Sequence, residues 1–359
     1  MDFDEALARL GGETEATLGD GQLIIVSYGA GLDSTALLVE MHNRGMRPDL
    51  ILFADTGGER PETYDYIKRF NVWLHLVGFP EVTVCNYEPK KVAYNDLEGK
   101  CLTNGTFPSL AYGGGFHSCA LVFKRDVQVR FERQWAPGLA AVARGEKIMH
   151  MIGYDDGARD RKRAEKARKV RDRHRKGIAE RAAVGKDPLA EQWEVHACNE
   201  TYPLQDWGLD RESLPAIIEA AGLPVPRKSC CFFCPAMRPE EVVELKNEQP
   251  ELYERALEIE RGAQAKLKKG PRGMAMGRWY WEWLKDVTDP AMAKDVIKAM
   301  GGKVGAAGLR PEEREQWLSN RNARSAEQRD TASCSQFLAS TGSGRTAYRA
   351  RSWSRTSRR

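Results

Sequence analysis

Two periods alternate along the first half of the chain. Leu23-Ile24-Ile25-Val26-Ser27 is a short apolar run that leads into glycines, the pattern of a buried strand. Ser34 to Asn43 then places Leu37, Leu38 and Met41 on one helical face. Asp49 to Ala54 predicts a second strand. Pro61 opens a second helix, PETYDYIKRFNVWLHLV; proline suits a first turn, where its missing N–H has no partner to lose. Glu81 to Tyr87 and Lys147 to Gly153 predict a third and a fourth strand. Strands separated by helices give an α/β fold with a doubly wound, mainly parallel sheet. Ligands of such sheets bind beyond the carboxyl ends of the strands.

The pattern then changes. Residues 96–118 look irregular, with a turn at Gly113-Gly114-Gly115. Residues 159–186 predict a charged helix that interrupts the fold after the fourth strand. Residues 210–300 read as mostly helical, with Trp279 and Trp283 on one helix face and Trp281 on the other. From about 305 the chain is rich in Ser, Arg, Gly and Thr without periodicity, a composition expected to stay disordered. These shifts divide the chain into an extension (1–20), an α/β domain (21–208) carrying the basic insertion, a helical cysteine-containing region (209–304) and a tail (305–359).

The chain has 359 residues, 42% hydrophobic and 30% charged, enough to bury a core without disulfides. No apolar run approaches the roughly 18–20 residues of a bilayer span, so no membrane partner is expected. The acidic start, MDFDEALARL, lacks a basic n-region and an apolar h-region, so a cytoplasmic location is expected. The net charge of +4 is unevenly spread: residues 331–359 hold six arginines and no Asp or Glu, which leaves the rest at −2. Residues 159–186 hold thirteen Lys/Arg against four Asp/Glu. They read first as a solvated insertion and second, with the tail, as a surface that tracks a nucleic-acid backbone.

Ser27-Tyr28-Gly29-Ala30-Gly31-Leu32-Asp33-Ser34 joins the first strand to the first helix. Gly29 and Gly31 are expected to let the backbone take positive φ and approach a ligand. Successive amides at a helix N-terminus make an anion site. Asp33 and Ser34 are expected to cap the helix and to contact Mg²⁺ or phosphate. The loop is neither a Walker A, which needs G-K-[ST], nor a full G-x-G-x-x-G. Asp55 and Thr56 end the second strand beside this loop, where an acid could bind ribose or a metal or could close the strand end. Gly153 ends the fourth strand, where a side chain is expected to obstruct a base or ribose. Glu62 reads as a solvated carboxylate in a helix first turn.

Eight cysteines stand at 85, 101, 119, 198, 230, 231, 234 and 334. Without an export signal they read as thiols or metal ligands. Cys231-Phe232-Phe233-Cys234 is a C-x-x-C with Cys230 just before it, a spacing that can hold one face of a metal or cluster. Cys85, mid-strand, reads as core.

SYGAGLDSTALL resembles the pyrophosphate loop of the adenine nucleotide alpha-hydrolase (PP-loop) superfamily, whose pattern is S-G-G-x-D-S. Aligned on Asp33-Ser34, the glycine pair falls on Ala30 and Gly31, and the serine on Gly29, with Ser27 two positions earlier. FADTGGERPETYDYI, HSCALVFK, MIGYDDGARDR, YPLQDWGLDRESL and KSCCFFCPAM follow in order. They resemble segments of phosphoadenosine phosphosulfate (PAPS) reductase-like proteins, over about residues 22 to 285. The resemblance implies nucleotide or substrate contacts for Glu59, Thr63 and Arg159, and phosphate or sulfate neutralisation by Lys124 and Arg159. It also implies Cys119 as a partner of Cys231 and Cys234. The fourth ligand is left among Cys230, Cys198, His117 and His196, or is absent. A [4Fe–4S] cluster with an open iron would suit sulfur chemistry, and zinc is the alternative.

Two departures weigh against PAPS reduction itself. Cys334 lacks the family's E-C-G-x-H setting, and Cys119 is single where cluster-bearing sulfonucleotide reductases use a pair. The first expectation is therefore an enzyme that cleaves ATP between its α and β phosphates, with Asp33, Lys124 and Cys119 in the reaction, and transfers sulfur. A sulfonucleotide reductase taking electrons from a thiol carrier, and a nucleotide- or nucleic-acid-binding module without turnover, are the alternatives. The partners expected are an adenine nucleotide, a sulfur donor or thiol carrier, a nucleic-acid substrate and a second copy of the chain.

Overall fold

The computed structural model describes residues 21–89, 91–108, 118–183, 193–266, 273–275 and 278–302. The N-terminal extension, Gly113 to Gly115, His117, Cys334 and the tail lie outside the described residues, as does the side chain of His196.

The opening strands are β1 (Ile24–Ser27), β2 (Leu50–Asp55) and β3 (Val82–Asn86), separated by helices α1 (Leu32–Asn43) and α2 (Pro61–Leu76). Next come α3 (Leu97–Asn104), a helical turn Ser118–Ala120, a π-helical turn Leu121–Arg125, α4 (Asp126–Glu132) and α5 (Ala136–Ala143). Strand β4 (Ile148–Ile152) leads into the basic helix α6 (Ala158–Ala182), then α7 (Trp193–His196) and β5 (Cys198–Thr201). Helices α8 (Pro203–Asp206), α9 (Leu214–Ala220), α10 (Pro239–Glu248), α11 (Pro250–Ala263) and α12 (Ala293–Ala299) complete the described chain. None of these helices is long and apolar enough to cross a membrane.

The five strands pair in the order β3-β2-β1-β4-β5, all parallel. Period-2 alternation sends Ile24, Val26, Ile51, Phe53 and Met151 to one face, against α1, α2 and α9. Ile25, Leu50, Leu52, Cys85, Ile148 and Cys198 go to the other, with Val127 of α4 and Trp193 of α7. Helices on both faces make the sheet doubly wound, and both faces of its central strands are buried, as parallel sheets require. Tyr28, Phe70 and Trp73 stack at centroid distances of 5.2 and 5.4 Å, which anchors α2 to the end of β1. Each such buried ring contributes about 1.5–3 kcal/mol relative to exposure.

Order reverses between β1 and β4: the chain leaves β1 toward β2 and β3, then returns on the far side of β1. The carboxyl ends of β1 and β4 therefore border the crevice where doubly wound sheets bind ligands.

Three expectations change. Strand β5 was not foreseen. The tryptophans do not share a helix: Trp281–Leu284 is a single 3₁₀ turn, with Trp281 and Trp279 buried. The buried Glu260 explains this, because its carboxylate accepts from the amides of Met274 (2.7 Å), Trp281 (3.0 Å) and Glu282 (3.2 Å). Glu62 is not a merely solvated first-turn acid. It accepts from Gln249 (2.6 Å) and Arg227 (3.1 Å), and these bonds with the Arg60 charge hold its carboxyl below the usual range although burial pushes the other way. The basic helix is a single 25-residue element, mostly exposed, and docks through Ala164, Asp160 and an Arg171–Glu200 ion pair.

Candidate functional site

Strand β1 hands the chain to α1 through Tyr28 to Gly31. The Tyr28 amide donates to the Leu52 carbonyl at 2.8 Å, so the sheet continues one residue past β1 before the backbone turns. The left-handed residue of the turn is Ala30 (φ 53°), not Gly29 or Gly31. Gly31 is the N-cap and is extended (φ −116°). An L-residue in the left-handed region costs about 1–2 kcal/mol, and such strain collects at ligand clamps.

The expected caps also differ. No side chain caps the first turn of α1. Ser34 instead reaches backward: its Oγ accepts from the Gly29 amide (3.1 Å) and donates to the Gly31 carbonyl (3.2 Å). The hydroxyl thereby staples the loop and leaves the helix N-terminus to an external anion.

Gly153 follows β4 directly. A Cβ there would lie 3.0 Å from the carbonyl carbon and oxygen of Asp33 and from Ser34 Cα. The glycine lets β4 approach the backbone of the loop. Immediately beyond it, the carboxylates of Asp33, Asp155 and Asp160 come within 4.8 Å of one another. Arg211 binds Asp33 at 2.8 and 2.9 Å and approaches Asp155 at 3.9 Å. Arg163 binds Asp160 at 2.9 Å and lies over the Tyr154 ring. Burial pushes the Asp33 carboxyl above its usual value, Arg211 pulls it back, and Asp155 and Asp160 push it further. Such a trio of acids is an oxygen-rich site of the kind hard divalent cations take. Arg159 is exposed in the first turn of α6; Arg163 and Arg211 are the arginines that reach the acids.

The C-x-x-C segment packs against the same crevice. A Cβ on Gly31 would touch Ser229 Cβ at 3.7 Å. The Ser229 hydroxyl donates to Glu59 at 3.3 Å, and the Lys124 ammonium to the other oxygen of Glu59 at 3.1 Å. Glu59 also bridges Cys231 through the backbone, the Phe232 amide donates to the Gly58 carbonyl (2.8 Å), and Thr56 Oγ1 meets Cys231 Sγ at 3.0 Å. Gly58 is required here, because a Cβ would come within 2.5 Å of the Phe233 ring. Lys124 rides on the π-helical turn, a distortion common at functional sites. The Glu59 carboxylate beside it holds the ammonium firmly protonated.

Asp55 closes the strand end: its carboxylate accepts from the Gly57 amide (2.8 Å) and the Tyr64 hydroxyl (2.9 Å). Thr63 is buried in the first turn of α2. The hydroxyl of Ser27 turns to the opposite face of the sheet, toward Gln128 and His150.

Burial raises the thiols of Cys119, Cys231 and Cys234, and pushes Cys230 up to about 12. Cys119 lies near enough for its charge to act on Cys234. Among the described residues, however, no three of these cysteines gather their sulfurs within 4.8 Å. Two thiolates on one tetrahedral zinc stand about 3.8 Å apart, as Zn–S bonds of about 2.3 Å dictate. The sulfurs are therefore not gathered as three ligands of one ion would be. Cys198 is in a different place, beneath the sheet with Glu132 and His150. The residues that sequence reasoning did not single out are Asp155, Asp160, Arg211 and Ser229. All four fall inside segments that resemble the family; Asp155 is the acid of an I-G-x-D stretch in MIGYDDGARDR, and the other three have no local pattern that marks them.

No protein-family model, curated protein or solved structure matches the chain.

Proposed function

We propose that the protein is a PP-loop enzyme of the PAPS reductase-like kind, which binds ATP with Mg²⁺, cleaves it between the α and β phosphates and transfers sulfur to the adenylated acceptor. The observation that carries this reading is the meeting of an uncapped helix N-terminus and three carboxylates at the β1/β4 switch point. A helix N-terminus alone fits any anion; an acidic trio beside it fits an anion that arrives with a divalent cation, as a nucleotide does.

The loop amides and α1 would take the phosphates, with Ser34 holding the loop in shape. Asp33, Asp155 and Asp160 would hold Mg²⁺, which when bound neutralises phosphate charge. Arg211, now counter-ion to Asp33, would be released toward the phosphates as Mg²⁺ takes over the carboxylate. An acceptor oxygen attacks the α-phosphorus, the bond to the bridging oxygen breaks, and pyrophosphate leaves with that electron pair; a sulfide-level sulfur nucleophile would then attack the acceptor carbon, and AMP would leave with the acceptor oxygen and its electron pair. Positive charge held in place before reaction stabilises the crowded transition state. Lys124, kept cationic by Glu59, faces the cysteine side of the crevice, where an incoming anionic sulfur nucleophile or its thiol carrier would need a cationic partner. Cys119, Cys231 and Cys234, with Cys230 beside them, would hold a [4Fe–4S] cluster, which when bound supplies an iron able to carry sulfide.

Calorimetry on the full chain tests the reading. One ATP is expected to bind per chain with Mg²⁺ present, and Asp155→Asn is expected to weaken that binding at least tenfold. Tight binding of PAPS with none of ATP would move the protein to the sulfonucleotide reductases. Absence of heat with every adenine nucleotide would overturn the proposal.

A further inference from the structure

A second group of chemistry-bearing side chains lies behind β1 and β4, on the face away from the acids. The side chain of Glu132, the last residue of α4, is completely buried. Its Oε2 accepts from Trp193 Nε1 at 3.1 Å and lies 3.7 Å from Cys198 Sγ. Its Oε1 has no hydrogen-bond partner among the described residues and stands 3.8 Å from His150 Nδ1. A buried carboxylate oxygen left without a donor is strongly unfavourable.

The protons around His150 follow from its neighbours. Gln128 Nε2 donates to the Leu52 carbonyl at 3.1 Å, which makes Gln128 Oε1 the acceptor. Ser27 donates its hydroxyl proton to that oxygen at 3.0 Å. The Ser27 oxygen then accepts from His150 Nε2–H at 2.8 Å. A neutral His150 so engaged carries its lone pair on Nδ1, on the side of Glu132. An imidazole nitrogen, a carboxylate oxygen and a sulfur thus converge within 4.8 Å.

We propose that Glu132, His150 and Cys198 form a buried zinc site, separate from the cysteine loop and from the nucleotide crevice. The donor set of one nitrogen, one oxygen and one sulfur suits zinc and not the oxygen-seeking Mg²⁺ or Ca²⁺. One ligand atom from each of the three residues lies within 4.8 Å of the others, so small side-chain shifts would bring them onto one tetrahedral ion. The surroundings also fit: metal-bound histidines donate their other N–H to an outer partner, here Ser27, and metal-bound carboxylates accept further hydrogen bonds, here from Trp193. Ser27 is the last residue of β1, so the ion would brace the strand end from which the phosphate loop springs.

The test uses the full chain carrying Cys231→Ser and Cys234→Ser, so that the cysteine loop does not contribute metal. One equivalent of zinc is expected to copurify, and chelator-stripped protein is expected to take up one Co²⁺ with a thiolate-to-cobalt charge-transfer band. Adding Cys198→Ser should abolish that band, and adding His150→Gln should lower zinc occupancy at least tenfold. Should either added variant fail to fold, Glu132→Gln in the same parent replaces it, with the same loss of zinc and of the Co²⁺ band expected. A folded parent that neither copurifies with zinc nor takes up Co²⁺ overturns the proposal. So does a zinc content that Cys198→Ser and His150→Gln leave intact.

Discussion

At the scale of single residues, the loop is shaped by two positions whose requirements run opposite to their side chains. Ala30 sits where glycine is favoured, and Gly153 sits where space, not φ, excludes a side chain. The Gly153 contacts are to backbone atoms of Asp33 and Ser34, which cannot rotate away. Gly153→Ala must therefore push α1 and its loop off β4. It is expected to cost about 1–3 kcal/mol of stability, the range for overpacking a filled site. Urea unfolding measures that cost, and nucleotide titration of the folded variant should show affinity reduced as well, because the displaced atoms are those of the loop. A Gly153→Ala protein with unchanged stability would show that β4 and α1 are not in contact. Gly153 itself was legible from its place after an apolar strand. Its reason was not, because a glycine in sequence does not say which atom would fill the missing Cβ position.

At the scale of elements, the strands could be read because each fully buried strand is an apolar run of about the length of the strand. Ile24–Ser27, Leu50–Asp55, Val82–Asn86 and Ile148–Ile152 all fall within the expected segments or one residue beyond them. Strand β5 (Cys-Asn-Glu-Thr) carries no such run: Cys198 is its one buried residue and the other three are polar. The pairing of elements around the cysteine loop was equally hidden: a C-x-x-C gives its own spacing but not the turn it docks on. Here the dock is the Thr56-to-Glu59 turn, and Lys124 joins the π-helical turn to it through Glu59. The Glu59 side chain is fully buried while that of Lys124 is 40% exposed, so the two losses differ. Lys124→Met strands a buried carboxylate and is expected to cost about 1–3 kcal/mol, the penalty of an unsatisfied buried acceptor. Glu59→Gln leaves a lysine that can reach water and should cost less. In the double variant, Lys124→Met should cost less than it does alone, a coupling that a double-mutant cycle of denaturation midpoints reads directly. Strict additivity would mean that Lys124 serves only the ligand and not the docking of the loop.

At the scale of the whole molecule, the strand order puts three carboxylates and the N-terminus of α1 at one crevice, and under the proposed function this fixes how a bound cation and a bound anion would depend on each other. Asp33 comes from the first turn of α1, Asp155 from the segment after β4, and Asp160 from the basic helix that follows it. None of these acids could be assigned to a common site before the order β3-β2-β1-β4-β5 was known, because 122 positions separate Asp33 from Asp155. Three carboxylates beside an anion site repel a triphosphate unless a cation intervenes, so each ligand should raise the affinity for the other by the same factor. A tenfold factor corresponds to about 1.4 kcal/mol, within the usual range of coupling energies. Thermal unfolding with ATP alone, Mg²⁺ alone and both should accordingly show a shift for the pair larger than the sum of the single shifts. The sign of the pH effect follows from Asp33, whose carboxyl is raised above its usual value by burial. The ionised, metal-binding form is complete above that raised value and is lost as pH falls through it. The coupling should then fade at a higher pH than an exposed aspartate would allow, and Asp33→Asn should remove it at every pH. Equal shifts with and without Mg²⁺ would leave the acids as a structural cluster held by Arg211 and Arg163.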